Sequence, residues 1–466
     1  MAPFERPRSD TADIYEESYW VTRVPLDTPV LGSSRKGSKD GAESLLSYES
    51  GPGSLRQGTV RGSAITLILT SIGSGIFALP YAFSLAGAGC GTVLAGVIGA
   101  LSLSSAYALA RCCQSTGCFT YEDVAVAAWG PRGAVLMELL ILVLLLGAMA
   151  AIITVIGDAL PAFGALLLPE LLDWEAQRKR VLVVLLIFVL MPLSCVKTMT
   201  SLRHSNTIGV TCNFVVAAFV TINGAVQVTN GGGLLAHRPA FTDVLGGAQA
   251  VPILMLSYCM HVQVPPVFGE LKERTVKKFS WALVLQWLTC TAVYVMVGIF
   301  GLRLFHPEEP VPGDVLLGFG PHGWMVLLMR SMVGLSATFV FPLLSLPCRS
   351  TVDHLLFRQP AGPAASKSSS SLWFSDWRQK LQAIGVVLVA GLGACSASSL
   401  AKITAITGAT GGALLCYVMP CSFFLQLCRD DATASERLIF RTAWSSSVLL
   451  TIVALTSVVQ QILRAE

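Results

Sequence analysis

Residues 71–83 read Ser-Ile-Gly-Ser-Gly-Ile-Phe-Ala-Leu-Pro-Tyr-Ala-Phe and lie within the first long apolar segment of the chain, roughly residues 65–85. Gly73 and Gly75 at the centre, with Pro80 after them, make a single straight helix unfavourable here. Such an interruption exposes backbone N–H and C=O groups at mid-membrane depth, where they are tolerated only if they line a cavity. The stretch therefore predicts a membrane span that is broken to form a binding site.

The whole chain has the composition of a membrane protein. Of its 466 residues, 53% are hydrophobic and 13% are charged, and the mean hydropathy is +0.65, whereas soluble domains are roughly a quarter charged. The length fits one bundle of about eleven spans of roughly 20 residues each. The net charge of +4 is too small to indicate a nucleic-acid partner. The 13 cysteines lie mostly in apolar segments without zinc spacing, so we expect no metal site.

Two regions of the chain differ in composition. Residues 1–58 are rich in Ser, Gly, Pro and charge, which predicts a disordered cytosolic tail. Residues 59–466 are predicted to form the membrane domain, with a flexible Pro/Ala/Ser-rich insertion loop at 358–376. A short helix is predicted at 121–129. The predicted spans are 62–86, 90–112, 133–158, 180–198, 207–229, 247–269, 278–303, 322–346, 381–398, 401–427 and 440–463.

Lysine and arginine are distributed unequally between the loops. Most of them fall on the side of the tail, so the positive-inside rule predicts a cytosolic N-terminus. An Arg-Lys-Arg run at 178–180 is the main exception. The sequence is compatible with the plasma membrane and with an endolysosomal or vacuolar membrane.

The sixth predicted span is interrupted in the same way as the first. Residues 254–266 read Leu-Met-Leu-Ser-Tyr-Cys-Met-His-Val-Gln-Val-Pro-Pro, with polar groups at mid-span and two prolines that remove backbone donors. The first and sixth spans lead two sets of five. Interrupted helices at matching positions of two halves are typical of inverted-repeat transporters, which hold substrate at the breaks. A simple kink is the alternative, because Gly and Pro are common in membrane helices.

Three motifs resemble those of the amino acid/auxin permease family. Residues 73–83 resemble its first-helix signature, and His261 followed by Pro-Val-Phe-Gly-Glu-Leu at 266–271 resembles its sixth-helix signature. Pro-Cys-Arg-Ser-Thr-Val-Asp-His-Leu-Leu at 347–356 resembles the end of the eighth helix in the sodium-coupled neutral amino acid transporter branch. The vacuolar amino acid transporters are a second similar branch. The resemblance covers about residues 60–463.

The resemblance implies an all-α polytopic membrane protein of about eleven transmembrane helices. These helices would form the five-plus-five inverted repeat of APC/LeuT-like proteins, with the first and sixth helices broken. The implied function is secondary active transport of amino acids, with neutral ones favoured, by alternating access. The implied partners are the lipid bilayer and a small-molecule amino acid, and no cofactor is implied apart from a coupling ion, H⁺ or Na⁺.

The resemblance also assigns the candidate substrate site. The substrate carboxylate would meet backbone N–H groups of Ser74, Gly75 and Ile76, next to Gly73, where the positive end of the following half-helix favours an anion. Close packing of the two glycines against another helix is the alternative reading. The α-amino group would meet carbonyl groups of both breaks. The pocket walls would be formed by three residues of the second break, namely Tyr258, Cys259 and Met260.

The coupling ion is where the sequence departs from the sodium-coupled branch. That branch has Asn at the position of Leu69, which offers no side-chain oxygen. Its eighth-helix Thr corresponds to Thr338, with Ser336 nearby. Because this ligand set is incomplete for sodium, we expect proton coupling or uncoupled exchange. His261 is the candidate proton carrier, since imidazole titrates near neutrality; a satisfied structural histidine is the alternative.

Other interpretations concern two charged residues and a different class of function. Asp158, at the outer end of the third span, would attract a cationic substrate or cap the helix. Arg330 in the eighth span is expected to extend its head group to the membrane surface. A sensor that binds an amino acid and signals through the tail is the competing function. An enzyme is not expected, because the sequence shows no catalytic pair, metal cluster or nucleotide loop.

Overall fold

The computed structural model describes eight stretches of the chain, 59–167, 186–195, 203–231, 239–305, 309–318, 324–356, 369–396 and 399–463. The predicted tail and residues 358–368 of the predicted loop lie outside them. Residues 369–376 were predicted as loop but belong to a helix that begins at Ser369, because apolar residues 372–374 extend the ninth span.

Fifteen α-helices occur in the described residues. They are α1 Val60–Ser71, α2 Leu79–Ala86, α3 Ala88–Thr116, α4 Tyr121–Trp129, α5 Pro131–Leu167, α6 Met191–Ser194, α7 Arg203–Gly231, α8 Val244–Ser257, α9 Val264–Gly269, α10 Val276–Leu302, α11 Trp324–Leu356, α12 Ser369–Ser396, α13 Leu400–Thr407, α14 Met419–Leu427 and α15 Ala434–Leu463. Helix α4 confirms the helix predicted at 121–129.

Nine spans within the described residues are long and apolar enough to cross a membrane, and the bent pair α1–α2 brings the number to ten. The fourth predicted span, 180–198, is described only over 186–195, where a π-helical turn, Leu186–Leu190, leads into α6. The predicted eleven spans are therefore not reached in the described part of the chain. The outward faces carry exposed apolar side chains such as Val93, Trp281 and Leu392, as expected for a multi-pass membrane protein.

Polar residues ahead of several helices set their first turns. The side chains of Thr59, Thr120, Asp243 and Ser399 each accept a hydrogen bond from the backbone N–H three residues later. Such caps satisfy N–H groups that have no partner within the helix. They fix where α1, α4, α8 and α13 begin. Two of these helices, α1 and α8, are the first halves of the two broken spans.

The connection between α2 and α3 packs against the segment that precedes α8. Gly87 has a φ of +89°, and a Cβ there would meet the backbone of Ala240 and Phe241 at 2.7–2.8 Å, so only glycine fits. The backbone N–H groups of Ala88 and Cys90 donate to the carbonyl groups of Pro239 and Ala240. The segment ahead of the sixth span is thereby fixed to the end of the first.

The tenth span is irregular between α13 and α14, where it forms two π-helical turns, Gly408–Gly412 and Leu414–Val418. Gly408 lies so close to the Pro252 carbonyl oxygen of α8 that a side chain would overlap it. The Tyr417 hydroxyl donates to the Met255 carbonyl oxygen at 3.0 Å. The Tyr121 hydroxyl of α4 donates to the Leu415 carbonyl oxygen at 2.6 Å. The tenth span therefore packs directly against α8, the first half of the sixth span.

Candidate functional site

The first span breaks immediately after α1. Helix α1 ends at Ser71, and a 3-10 turn, Ser74–Ala78, leads into α2, which is bent by 54° relative to α1. The first N–H groups of a helical turn have no acceptor within it, which leaves those of Ser74 and Gly75 at the break. The Ile76 N–H instead donates to the Gly73 carbonyl oxygen at 3.3 Å. Two of the three predicted backbone donors therefore lie at the start of the turn.

The two glycines of the first break have different surroundings. A Cβ on Gly75 would lie 3.3 Å from the Ser257 hydroxyl oxygen and 3.8 Å from the Ser257 Cα atom, so the turn packs against the end of α8. A Cβ on Gly73 would meet no atom within 4 Å among the described residues. Close packing thus accounts for Gly75, whereas Gly73 faces open space beside the exposed backbone.

The second break follows α8 and is filled by side chains. Helix α8 ends at Ser257, and a 3-10 turn, His261–Gln263, precedes α9. The side chains of Tyr258 and Met260 are fully buried, and Cys259 is partly exposed. The Cys259 Sγ atom lies 3.1 Å from the Cys416 Sγ atom of the tenth span. Of the three predicted wall residues, Cys259 is the one that is partly accessible.

Tyr258 is turned toward the seventh span. Its hydroxyl lies 2.9 Å from the Thr291 Oγ1 atom of α10, and its ring meets the edge of the Tyr294 ring at a centroid distance of 5.0 Å. Its carbonyl oxygen accepts a 3.3 Å hydrogen bond from the Ser102 hydroxyl of α3. Helices α3 and α10 thus fix the second break from two sides.

Tyr294 is a site residue that the sequence reasoning missed. Its hydroxyl lies 2.8 Å from the Ser71 carbonyl oxygen and 2.6 Å from the Ser257 carbonyl oxygen, the last residues of α1 and α8. The Gln286 Nε2 atom donates to the Ser71 hydroxyl at 2.9 Å. Gln286, Cys290 and Tyr294 follow one another at four-residue spacing, which places them on one face of α10. That spacing of polar groups in an apolar span was the available signal.

His261 is completely buried between the sixth span and α3. Its Nε2 atom lies 2.8 Å from the Ser105 hydroxyl, which donates its proton to the Ser102 carbonyl oxygen at 3.0 Å. When the Ser105 hydroxyl donates to that carbonyl oxygen, Nε2 is the donor to Ser105 and Nδ1 is an acceptor. The Nδ1 atom has no hydrogen-bond partner among the described residues.

The two predicted ligands on the eighth helix, Ser336 and Thr338, each donate a hydrogen bond to a backbone carbonyl oxygen. The Ser336 hydroxyl donates to the Gly209 carbonyl oxygen of α7 at 2.7 Å, and the Thr338 hydroxyl donates to the Gly334 carbonyl oxygen within α11 at 2.8 Å. Neither is hydrogen-bonded to the first break in the described part of the chain. A hydroxyl that donates to a carbonyl group keeps lone pairs that can bind a cation, so both residues remain candidate ligands.

Arg330 does not extend to the membrane surface as predicted. It is 9% exposed, and its Nε and Nη2 atoms donate to the Leu316 carbonyl oxygen at 3.2 and 2.9 Å. A 3-10 turn, Val315–Gly318, covers it and also contacts the turn of the first break. Buried Asp158 and Asp314 line the same cavity, which has a volume of about 10 Å³. The predicted attractor of a cationic substrate thus shares its cavity with a guanidinium.

Two interrupted spans whose breaks face each other inside a helical bundle, with backbone donors at one and backbone acceptors at both, define a multi-pass membrane protein of the transporter class. In the described residues no group of three or more His, Cys, Asp or Glu side chains is arranged to hold a metal ion. The chain belongs to the family of transmembrane amino acid transporter proteins, whose family model matches residues 56–463.

Relatives in animals and plants support this assignment. The chain is 28% identical to amino acid transporter AVT6A of Arabidopsis thaliana, over 80% of this chain and 82% of the relative. It is 26% identical to sodium-coupled neutral amino acid transporter 7 of Homo sapiens, over 84% and 83%. It is 26% identical to solute carrier family 38 member 10 of Mus musculus, over 81% of this chain but 34% of the relative, so it spans about a third of that protein's length. These relatives are named as carriers and transporters, not as enzymes.

Solved structures show the same fold. Mhp1, a nucleobase-cation-symport-1 family transporter, matches in a closed conformation with a TM-score of 0.51 and 16% identity, over 87% of this chain and 94% of Mhp1. Its inward-facing conformation matches with a TM-score of 0.52 and 13% identity, over 87% and 90%. The predicted APC/LeuT-like fold class is confirmed.

Proposed function

We propose that the protein is a secondary active transporter that carries neutral amino acids across a membrane by alternating access, driven by protons. The observation that carries the proposal is the meeting of the two breaks at Gly75 and Ser257. The Ser74 and Gly75 N–H groups would bind the substrate carboxylate, and carbonyl groups of the two breaks other than those of Ser71 and Ser257 would bind its ammonium group.

The preference for neutral substrates rests on the side chains around the breaks. Tyr258, Cys259, Met260 and Tyr294 are uncharged, so they offer no counter-ion to a charged substrate side chain. The carboxylate of Asp158 lies in a separate cavity whose wall already holds the Arg330 guanidinium. One relative is itself named a sodium-coupled neutral amino acid transporter.

The preference for protons rests on three described residues. Leu69 supplies no side-chain oxygen, which leaves the Thr338 hydroxyl with one side-chain ligand fewer to share a sodium ion. His261 has a buried ring nitrogen without a partner among the described residues. A proton on that nitrogen would give the site a charge that can be gained on one side of the membrane and lost on the other.

Location and orientation complete the proposal. The N-terminus would lie in the cytosol, as the Lys and Arg distribution favours. The membrane would be the plasma membrane or an endolysosomal or vacuolar membrane.

The test is uptake of labelled amino acids into proteoliposomes. A panel of neutral, cationic and anionic amino acids is measured at two external pH values, in sodium and in choline chloride. We expect saturable uptake of neutral amino acids that increases with an inward proton gradient and does not respond to sodium. Saturable binding without flux would instead indicate a sensor, and uptake that follows sodium would refute proton coupling.

A further inference from the structure

The hydroxyl of Tyr294 lies between the ends of two half-helices. Two backbone carbonyl oxygens, of Ser71 and Ser257, converge on it at 2.8 and 2.6 Å. Each belongs to the last residue of a half-helix, where the helix dipole places partial negative charge. Broken helices coordinate cations through such carbonyl ends. The point between them is therefore attractive to positive charge, and here a phenol oxygen lies on it.

A phenol O–H is a neutral donor with one proton. It can donate to one of the two carbonyl oxygens at a time or share its hydrogen between them. Because Tyr294 is fully buried, this donor takes over a role that water would otherwise have, since a buried carbonyl group without a partner is costly. The two half-helices are thus joined by a covalently attached donor.

The surroundings of the Tyr294 hydroxyl do not provide a charged ligand among the described residues. The Ser71 hydroxyl donates to the Leu67 carbonyl oxygen at 3.0 Å and accepts from Gln286. The Ser257 hydroxyl donates to the Ile253 carbonyl oxygen at 2.9 Å. The position between the two half-helix ends is therefore filled by a neutral donor, the Tyr294 hydroxyl.

We propose that Tyr294 is a built-in substitute for a coupling cation: its hydroxyl occupies the position between the ends of α1 and α8 and makes the protein independent of sodium there. This inference rests on the proposed function, because it specifies the ion selectivity of the same site. It concerns binding, however, and can be measured without flux.

The experiment is thermal unfolding of the purified full chain in detergent, in sodium chloride and in choline chloride. Three variants separate the contributions. Tyr294→Phe keeps the ring and removes the donor, and Tyr294→Ser opens space between the carbonyl groups. Tyr258→Phe is the matched control, because it removes a hydroxyl from the neighbouring ring that bonds Thr291 and not the two half-helix ends.

We expect the wild-type Tm to be the same in both salts. Tyr294→Phe should lower Tm more than Tyr258→Phe does, in both salts equally. Tyr294→Ser should show a Tm that rises saturably with sodium and not with choline. A folded Tyr294→Ser protein whose Tm does not respond to sodium would overturn the proposal, and so would a saturable sodium-specific rise in the wild-type Tm that Tyr294→Phe removes. Equal Tm losses in Tyr294→Phe and Tyr258→Phe would overturn it as well, and this holds even if Tyr294→Ser does not fold.

The same proteins distinguish this proposal from the proposed function. If the wild type shows no amino acid flux in proteoliposomes, the transport proposal fails while the sodium response of Tm remains measurable. If flux is present and depends on sodium while Tm does not, the Tyr294 position is sodium-independent and the sodium acts elsewhere.

Discussion

The two breaks lie at the same place in the two halves of the bundle, but they differ in the size of their side chains. The first break consists of glycine and small residues, bends by 54°, and has open space at Gly73. The second continues as one span, Val244–Gly269, and is filled by the buried side chains of Tyr258, Met260 and His261. The comparison indicates two different roles. The first break would present backbone N–H groups to a ligand, and the side chains of the second break would form a fixed wall of the binding site.

The largest effect on uptake is expected from placing a bulky side chain in the first break. Gly75→Val places a branched side chain where even a Cβ would lie 3.3 Å from the Ser257 hydroxyl oxygen. Overpacking of this kind costs about 1–3 kcal/mol; if that cost falls on the substrate-bound state, uptake should fall by roughly five- to a hundredfold, since 1.4 kcal/mol is a factor of ten. Uptake into proteoliposomes measures this effect.

The matched control is Gly385→Val, on the exposed face of α12, where a Cβ meets no atom within 4 Å among the described residues. It should transport as the wild type does. A Gly75→Val protein that reaches the membrane and transports normally would show that the first break is not the carboxylate site.

A smaller effect, confined to the pH profile, is expected at the second break. His261→Gln removes the titratable ring but keeps a side chain able to donate to Ser105. Protonation of the wild-type imidazole, favoured as pH falls, would load the coupling site, so acid is expected to stimulate uptake by the wild type. The variant should lose this acid stimulation while still exchanging substrate between the two sides. Unchanged acid stimulation in His261→Gln would place the coupling proton on another residue.

Chemical labelling sharpens the comparison without changing the fold. Cys259 is partly exposed at the second break, so N-ethylmaleimide should react with it, and bound substrate should slow the reaction. Mass spectrometry of the modified peptide provides the rate. Cys395, exposed on α12, is the internal control, and its labelling should not respond to substrate. Equal rates at Cys259 with and without substrate would place the ligand away from the second break.

The smallest effect is expected from removing the hydrogen bond that holds the Tyr258 side chain in the second break. Thr291→Val removes the hydrogen-bond partner of the Tyr258 hydroxyl at nearly constant shape. Loss of one such bond costs about 1 kcal/mol, so Tm should fall slightly while substrate affinity changes little. A large loss of affinity would mean that Tyr258 contacts the substrate directly and that the second break is not a passive wall.

The sequence predicted the breaks because their causes are local. Glycines at 73 and 75 and the prolines at 265 and 266 disfavour a regular helix wherever they stand in a span. The helix at 121–129 was likewise predictable from a short segment that Thr120 caps. These features are written into a few consecutive residues, and the structure places them where the sequence did.

The contacts between spans were not predictable in the same way. Arg330 reads as a residue near a membrane surface, but a turn from the preceding loop folds over it. Ser336 was predicted as an ion ligand, and the sequence did not show that its hydroxyl also donates a hydrogen bond to the Gly209 carbonyl oxygen of α7. Tyr294 looked like one apolar-span residue among many, because its two partners lie on helices more than 30 residues away in the chain. Such roles depend on which spans become neighbours.

The two π-helical turns of the tenth span have a consequence for how sequences of this kind can change. A π turn holds one residue more than the α-helical turn it replaces. Deleting a single residue from Gly408–Gly412 would restore regular α-helical winding and leave the segments on either side facing almost the same directions. Cys416 would still face Cys259, and Tyr417 would keep the Met255 carbonyl oxygen. The same deletion in the regular part of the span, within α13, would instead rotate everything after it by about 100° around the helix axis.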